Sequence, residues 1–167
     1  MIINTISKEK FEIVTEDHFV AGSITYSGNS FSEAILLIEE CFSLLLVSPG
    51  IWVTGLKNEQ GDKIIATIKT ETGGVLSLRK CNKKRKYTFK KSTNWKSRFS
   101  LLNSAGEELL ALIPAVNWKK ESHDYILQLN EEFENECDSF LILQAVHCAN
   151  CSLSMMTGGE VPALISV

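Results

Sequence analysis

Proline is scarce, with three in 167 residues, which excludes collagenous and Pro-rich chains. Histidine is as rare: His18, His123 and His147 are all there are. No G-x-S-x-G, P-loop, G-x-G-x-x-G or H-E-x-x-H pattern occurs, so the familiar nucleophile, phosphate-cradling, dinucleotide and zinc signatures are missing. Glu39-Glu40 does not replace them, because adjacent strand residues point to opposite faces. The chain is read as a non-enzyme with no catalytic residue, no metal ligand set and no cofactor. Met1-Ile2-Ile3-Asn4-Thr5 has no basic region leading into a long apolar run, so no secretory signal is expected. Five cysteines are too few and too odd for a disulfide framework and fit reduced thiols in a cytoplasm.

What is present is an ordinary globular composition, 44% hydrophobic and 22% charged. The length suits one domain over residues 1–167. Net charge is −3, but its distribution is uneven. Residues 79–98 hold Arg79, Lys80, Lys83, Lys84, Arg85, Lys86, Lys90, Lys91, Lys96 and Arg98 and no acid. All twenty acids therefore lie elsewhere, and the protein is an acidic body with one basic segment.

Most of the chain reads as short strands. Phe19–Tyr26 is one; the apolar runs 34–38 and 42–47 follow, the second stopped by Ser48-Pro49-Gly50. Over 34–41 periodicity leaves a helical turn and a buried strand equally open. From Ile51 onward, turn signals at 58–62, 71–74, 82–83, 92–94 and 103–107 separate runs rich in β-branched and aromatic residues, and Asp124–Asn130 is a last strand. Such spacing predicts an all-β barrel or sandwich. Leu56 to Ile68 and Leu101 to Ile113 share the pattern L-x-N-x-x-G-[DE]-x-[IL]-[IL]-A-x-I. Each copy is a hairpin in which Asn opens the turn and Gly supplies positive φ.

After the acidic stretch Glu131–Asp138, residues Ser139 to Met156 contain no Pro, Gly or charged side chain. This predicts a helix capped by Asp138 or Ser139. Gln144, His147, Asn150 or Cys151, and Ser154 form its one polar seam, so it must be surrounded on most sides. A barrel wrapped around it meets that need. The run is just long enough for a membrane span, but its internal Gln, His and Asn favour a buried helix.

Strand hairpins with the N-x-x-G-[DE] turn, at Asn58–Asp62 and Asn103–Glu107, followed by the Phe140–Met156 helix, resemble the tubby C-terminal-like superfamily. That group includes the tubby domain, the LURP-one-related proteins and the phospholipid scramblases. The resemblance spans about residues 10–160 and is one of elements more than of identities. It implies a closed antiparallel β-barrel of about twelve strands around a hydrophobic C-terminal helix. It also implies binding of phosphoinositide or another membrane phospholipid by basic side chains. The tubby ligand residues have no positional match here, and the scramblase calcium loop and cysteine-rich segment are absent, so no site residue is carried over.

The candidate site comes from the basic segment itself. A two-residue turn at Asn82-Lys83 pairs Leu78 with Tyr87 and Leu76 with Phe89 on one face, and Arg79 with Lys86 and Cys81 with Lys84 on the other. Like charges directly opposed are unfavourable for folding alone, and an anionic partner would explain them. Arg79, Lys83, Lys84, Lys86, Lys90 and Lys91 are the expected anion-binding residues. The expected partner is anionic phospholipid or a membrane surface, for a cytoplasmic, peripherally associating protein. The alternatives are a protein-interaction domain whose lysines guard a strand edge, and nucleic-acid binding with Tyr87, Phe89 and Trp95 stacking. The acidic stretch reads as a solvated helix start more than a calcium loop or a cover for the basic hairpin, since it has no Gly. Cys148 and Cys151 read as core thiols.

Overall fold

The computed structural model describes residues 1–27, 31, 34–38, 42–50, 53–58, 64–71, 75–80, 85–92, 98–117, 119 and 122–156. Twelve strands lie among them: β1 (Ile2–Ser7), β2 (Lys10–Val14), β3 (Val20–Tyr26), β4 (Ala34–Ile38), β5 (Phe42–Gly50), β6 (Val53–Asn58), β7 (Ile64–Thr70), β8 (Leu76–Lys80), β9 (Arg85–Lys91), β10 (Phe99–Leu102), β11 (Glu108–Asn117) and β12 (Ser122–Leu129). A 3-10 helix (Glu131–Glu136) and helix α1 (Ser139–Met156) follow. The fold is mainly β, antiparallel throughout, with a single C-terminal helix, as the residue pattern predicts.

Each strand pairs with its chain neighbour, and β1 also pairs with β12, so the hydrogen-bonded order closes on itself. At that seam Ile3 lies opposite Tyr125, and Thr5 Oγ1 donates to the His123 carbonyl at 2.7 Å. Alternation sets the two faces. Ile3 and Thr5 on β1, Phe11 and Ile13 on β2, Leu76 and Leu78 on β8, and Tyr87 and Phe89 on β9 are all buried. All of them but Thr5 form one apolar core with α1.

Of the ambiguous stretch 34–41, residues 34–38 are strand, not helix, in β4, and 39–41 lie outside the described residues; the apolar run 42–47 is part of β5. Ser48-Pro49-Gly50 does not stop β5, which runs on to Gly50. A register shift between Val47 and Gly50 accommodates the proline, because a bulge leaves room for a residue without N–H. β1 and β2 are two strands that the sequence reading did not mark.

The repeated hairpins are β6–β7 and β10–β11, and both ladders shift register at the equivalent step, Leu56/Lys57 and Leu101/Leu102. In the second copy Asn103 Oδ1 accepts from the N–H groups of Ala105 (2.9 Å) and Glu107 (3.0 Å), and Gly106 takes φ +84°. The corresponding turn of the first copy, 59–63, lies outside the described residues.

α1 begins at its cap. Asp138 Oδ1 accepts from the Leu141 N–H at 2.8 Å, which settles the choice between Asp138 and Ser139. The acidic stretch before it is a short 3-10 helix beside β11, tied by the Asn130 N–H to the Leu109 carbonyl at 2.9 Å. Leu141 to Asn150 are buried without interruption, nearly three helical turns. α1 packs most closely on β3, β4 and β11. At Gly22 of β3, a Cβ would stand 3.2 Å from both Leu143 Cδ1 and the Leu37 carbonyl oxygen, so the helix approaches closely where the side chain is missing. No helix among the described residues is long and apolar enough to cross a membrane.

Candidate functional site

β8 and β9 have the register that alternation dictates: Leu76 opposite Phe89, Leu78 opposite Tyr87, Arg79 opposite Lys86. The apolar pairs face the core. Arg79, Lys86 and Lys90 are exposed on the outer face. Lys91 is also exposed, but it shares the inward parity of Tyr87 and Phe89 at the end of β9, where its Nζ rests 3.3 Å from Met156 Sδ. Lys91 therefore does not join the outer-face cluster. Lys83, Lys84, Cys81 and the Asn82-Lys83 turn lie outside the described residues, as does Trp95.

Neither strand is an edge. β8 is flanked by β7 and β9, and β9 by β8 and β10. Their lysines thus have no strand edge to guard, which removes the protective explanation for the charge. Two described acids border this cluster: Glu71 beside Lys86, and Glu108, whose carboxyl feels the charge of Lys90 as well as Arg98. Glu71 Oε1 is 3.8 Å from Lys86 Nζ, and both side chains are about half exposed, so this pair contributes little. Glu108 is engaged by Arg98 in a two-pronged contact at 2.7 and 2.8 Å, and the Arg98 hydrogen bonds hold its carboxyl below the usual range. Sequence reasoning missed three neighbours on the same outer face. Lys69 of β7 is paired with Ser77 of β8, which is paired with Thr88 of β9. The Ser77–Thr88 pair is implicit in the expected hairpin register, whereas Lys69 could be placed only once the β7–β8 register was known.

A second concentration of polar groups lies inside. Tyr125 Oη donates to Asn150 Oδ1 at 2.6 Å, and Asn150 Nδ2 donates to Tyr26 Oη at 3.1 Å. The Tyr26 hydroxyl is then left to donate to His147 Nδ1 at 3.2 Å. This fixes the proton on Nε2, which points at Cys151 Sγ, 3.5 Å away. The Tyr26 and His147 rings stack at 5.9 Å, and Phe11 meets Tyr26 edge-on. Every member is neutral. Burial lowers the His147 pKa to about 4, pushes the Cys151 thiol up to about 12, and raises Tyr26, Tyr125 and Cys148. A neutral imidazole and protonated thiols, Cys148 buried and Cys151 partly so, hold the helix in one rotation rather than supply a nucleophile. Among the described residues no group of three or more His, Cys, Asp or Glu is placed to hold a metal ion.

No protein-family model, curated protein or solved structure matches this chain. The functional reading therefore rests on the two faces of its strands.

Proposed function

We propose that the chain is a non-enzymatic module of the tubby-like kind, a strand tube around α1, that binds anionic phospholipid through the outer face of β8 and β9. The observation that carries this reading is the direct opposition of Arg79 and Lys86 on two interior strands. Like charges so placed disfavour folding, and no edge needs them. The cyclic strand order and the buried terminal helix support the tubby-like part of the reading. Burial of Tyr87 and Phe89 favours lipid over nucleic acid, because neither ring is open to a base.

Each basic residue near an anionic surface contributes about 1 kcal/mol. Lys86→Glu with Lys90→Glu removes two such terms and adds repulsion, so partitioning should fall at least about 30-fold. The test is co-sedimentation with phosphatidylcholine vesicles, with and without phosphatidylserine. Wild type should pellet only with the anionic vesicles, and less so in high salt. Equal binding to neutral vesicles, or none to either, would sink the proposal.

A second reading, a protein-interaction domain, is favoured by a separate feature. Ile113 lies opposite Ile126, Ile2 opposite Val14, and Val14 opposite Val20, while the Ile3–Tyr125 pairing sets Ile126 beside Ile2. Ile2, Ile126 and Val20 are each more than half exposed, so one apolar row crosses five strands. Loss of a partner on Ile126→Lys, with lipid binding intact, would support that reading.

A further inference from the structure

Phe19 is 72% exposed, yet its backbone is firmly held. It closes the tip between β2 and β3, where the Thr15 N–H donates to the Phe19 carbonyl at 2.9 Å and the Phe19 N–H donates to Thr15 Oγ1 at 3.2 Å. His18 beside it takes φ 64°, a left-handed conformation that side chains disfavour. An ordered, strained tip thus holds an aromatic ring in water. It does so at the β3 end of the apolar row Ile113–Ile126–Ile2–Val14–Val20.

The size of this face, its charge and its shape all bear on what covers it. Ile2, Phe19, Val20 and Ile126 are each more than half exposed, and Ile113 and Val14 are partly so. Side chains of this size present on the order of 100–200 Å² each when free, so the row and tip offer roughly 500 Å² of apolar surface. A homodimer interface of standard size asks for about the same, since it buries about 800 Å² per copy, about 65% of it apolar. Charge at the border is mostly spoken for. Lys10 holds Glu12 at 2.7 Å, the terminal amine lies 3.6 Å from Glu16, and Asp124 is engaged as well. Asp17 adds an exposed acid at the tip. With Lys10 already paired, a polyanion has nothing to hold here. The row also fits itself. Its β3 end projects at Phe19, whereas its β11 end is low, with Ile113 half-buried and a small Ala115 two residues along. Turning a second copy about an axis along β1 sets each Phe19 over the partner's Ile113, each Val14 over the partner's Ile126, and Ile2 on Ile2. Glu12 then comes nearest the partner's Asp124, and its bond to Lys10 offsets that approach of like charges.

From the projecting Phe19 and the area, charge and shape of this row, we infer that the outer face of β11, β12, β1, β2 and β3 joins a second copy of the chain in a two-fold dimer. The inference rests on the protein-interaction reading and names its partner. β8 and β9 lie outside this face, so the basic side chains stay uncovered.

Sedimentation equilibrium of the full chain over a concentration series tests it. Wild type should pass from 18.6 kDa to twice that mass, and high salt should not weaken the dimer. Phe19→Ala removes an anchor from each copy and should weaken association at least about 100-fold, as should Ile126→Lys. Both positions are exposed, so far-UV circular dichroism and urea midpoints should show the fold retained. Lys86→Glu with Lys90→Glu, on the basic face, should leave the dimer as tight as in wild type. A monomer at every concentration, or a dimer indifferent to both Phe19→Ala and Ile126→Lys, overturns the second copy as partner. Phe19→benzoylphenylalanine, photolysed in cell extract, separates that failure from failure of the broader reading. Crosslinks between copies of the chain support the dimer. Crosslinks only to another protein overturn the dimer and leave the protein-interaction reading standing, and crosslinks to nothing overturn both.

Discussion

Replacing Tyr26 with Phe tests the buried polar network. The ring keeps its edge contacts with Phe11 and Phe31, so packing is nearly unchanged. What is lost is one oxygen that accepts from Asn150 Nδ2 at 3.1 Å and donates to His147 Nδ1 at 3.2 Å. Both partners are 2% exposed, so water cannot replace it. Each orphaned buried group costs about 1–3 kcal/mol, partly offset because the hydroxyl itself no longer needs desolvation, for a net loss of about 2–3 kcal/mol. Tyr125→Phe orphans only Asn150 Oδ1 and should cost about half as much. Urea unfolding followed by far-UV circular dichroism gives both numbers, with an unchanged m-value showing that the native fold is retained. A double-mutant cycle with His147→Leu should show strong coupling to Tyr26→Phe and weak coupling to Tyr125→Phe. A Tyr26→Phe cost below about 0.5 kcal/mol would refute the assigned donor chain.

Two more outcomes follow from the same interior. Because burial lowers the His147 pKa to about 4, the unfolded chain binds more protons than the folded one between there and about pH 6.5, so stability is present above this window and falls by about 3 kcal/mol as pH drops through it. Burial shifts His123 in the same direction and adds to the slope, so urea midpoints against pH should decline in that window and flatten in His147→Leu. Gly22→Ala should cost about 1–3 kcal/mol in the same unfolding assay, since one of the two atoms met at 3.2 Å is a backbone oxygen that cannot rotate away; an unchanged midpoint would mean α1 sits farther from β3.

The sequence made some elements legible because one physical demand had one solution. Only one register of the basic hairpin puts Leu76, Leu78, Tyr87 and Phe89 on a single face, and that register is observed. α1 was bounded by the last acid and the first Gly pair, and its bounds agree. β4 was ambiguous because its run is apolar at successive positions and carries no period-two signal. β1 and β2 do carry it, in Ile3, Thr5, Phe11 and Ile13, but each is too short to stand out until its neighbour is known. The polar seam on α1 was visible; its partners were not. Tyr26 lies 121 positions from His147, and no local rule connects them.

The account depends most on α1 being enclosed by the strands and fixed by its seam. Hydrogen exchange of its backbone amides, read residue by residue in the folded protein, tests this directly. Amides of Leu143 to Asn150 should exchange only through global unfolding, with the same urea dependence as those of β3 and β12. Exchange in this stretch that is faster than in those strands, with little urea dependence, would place the helix on an outer surface and contradict the account.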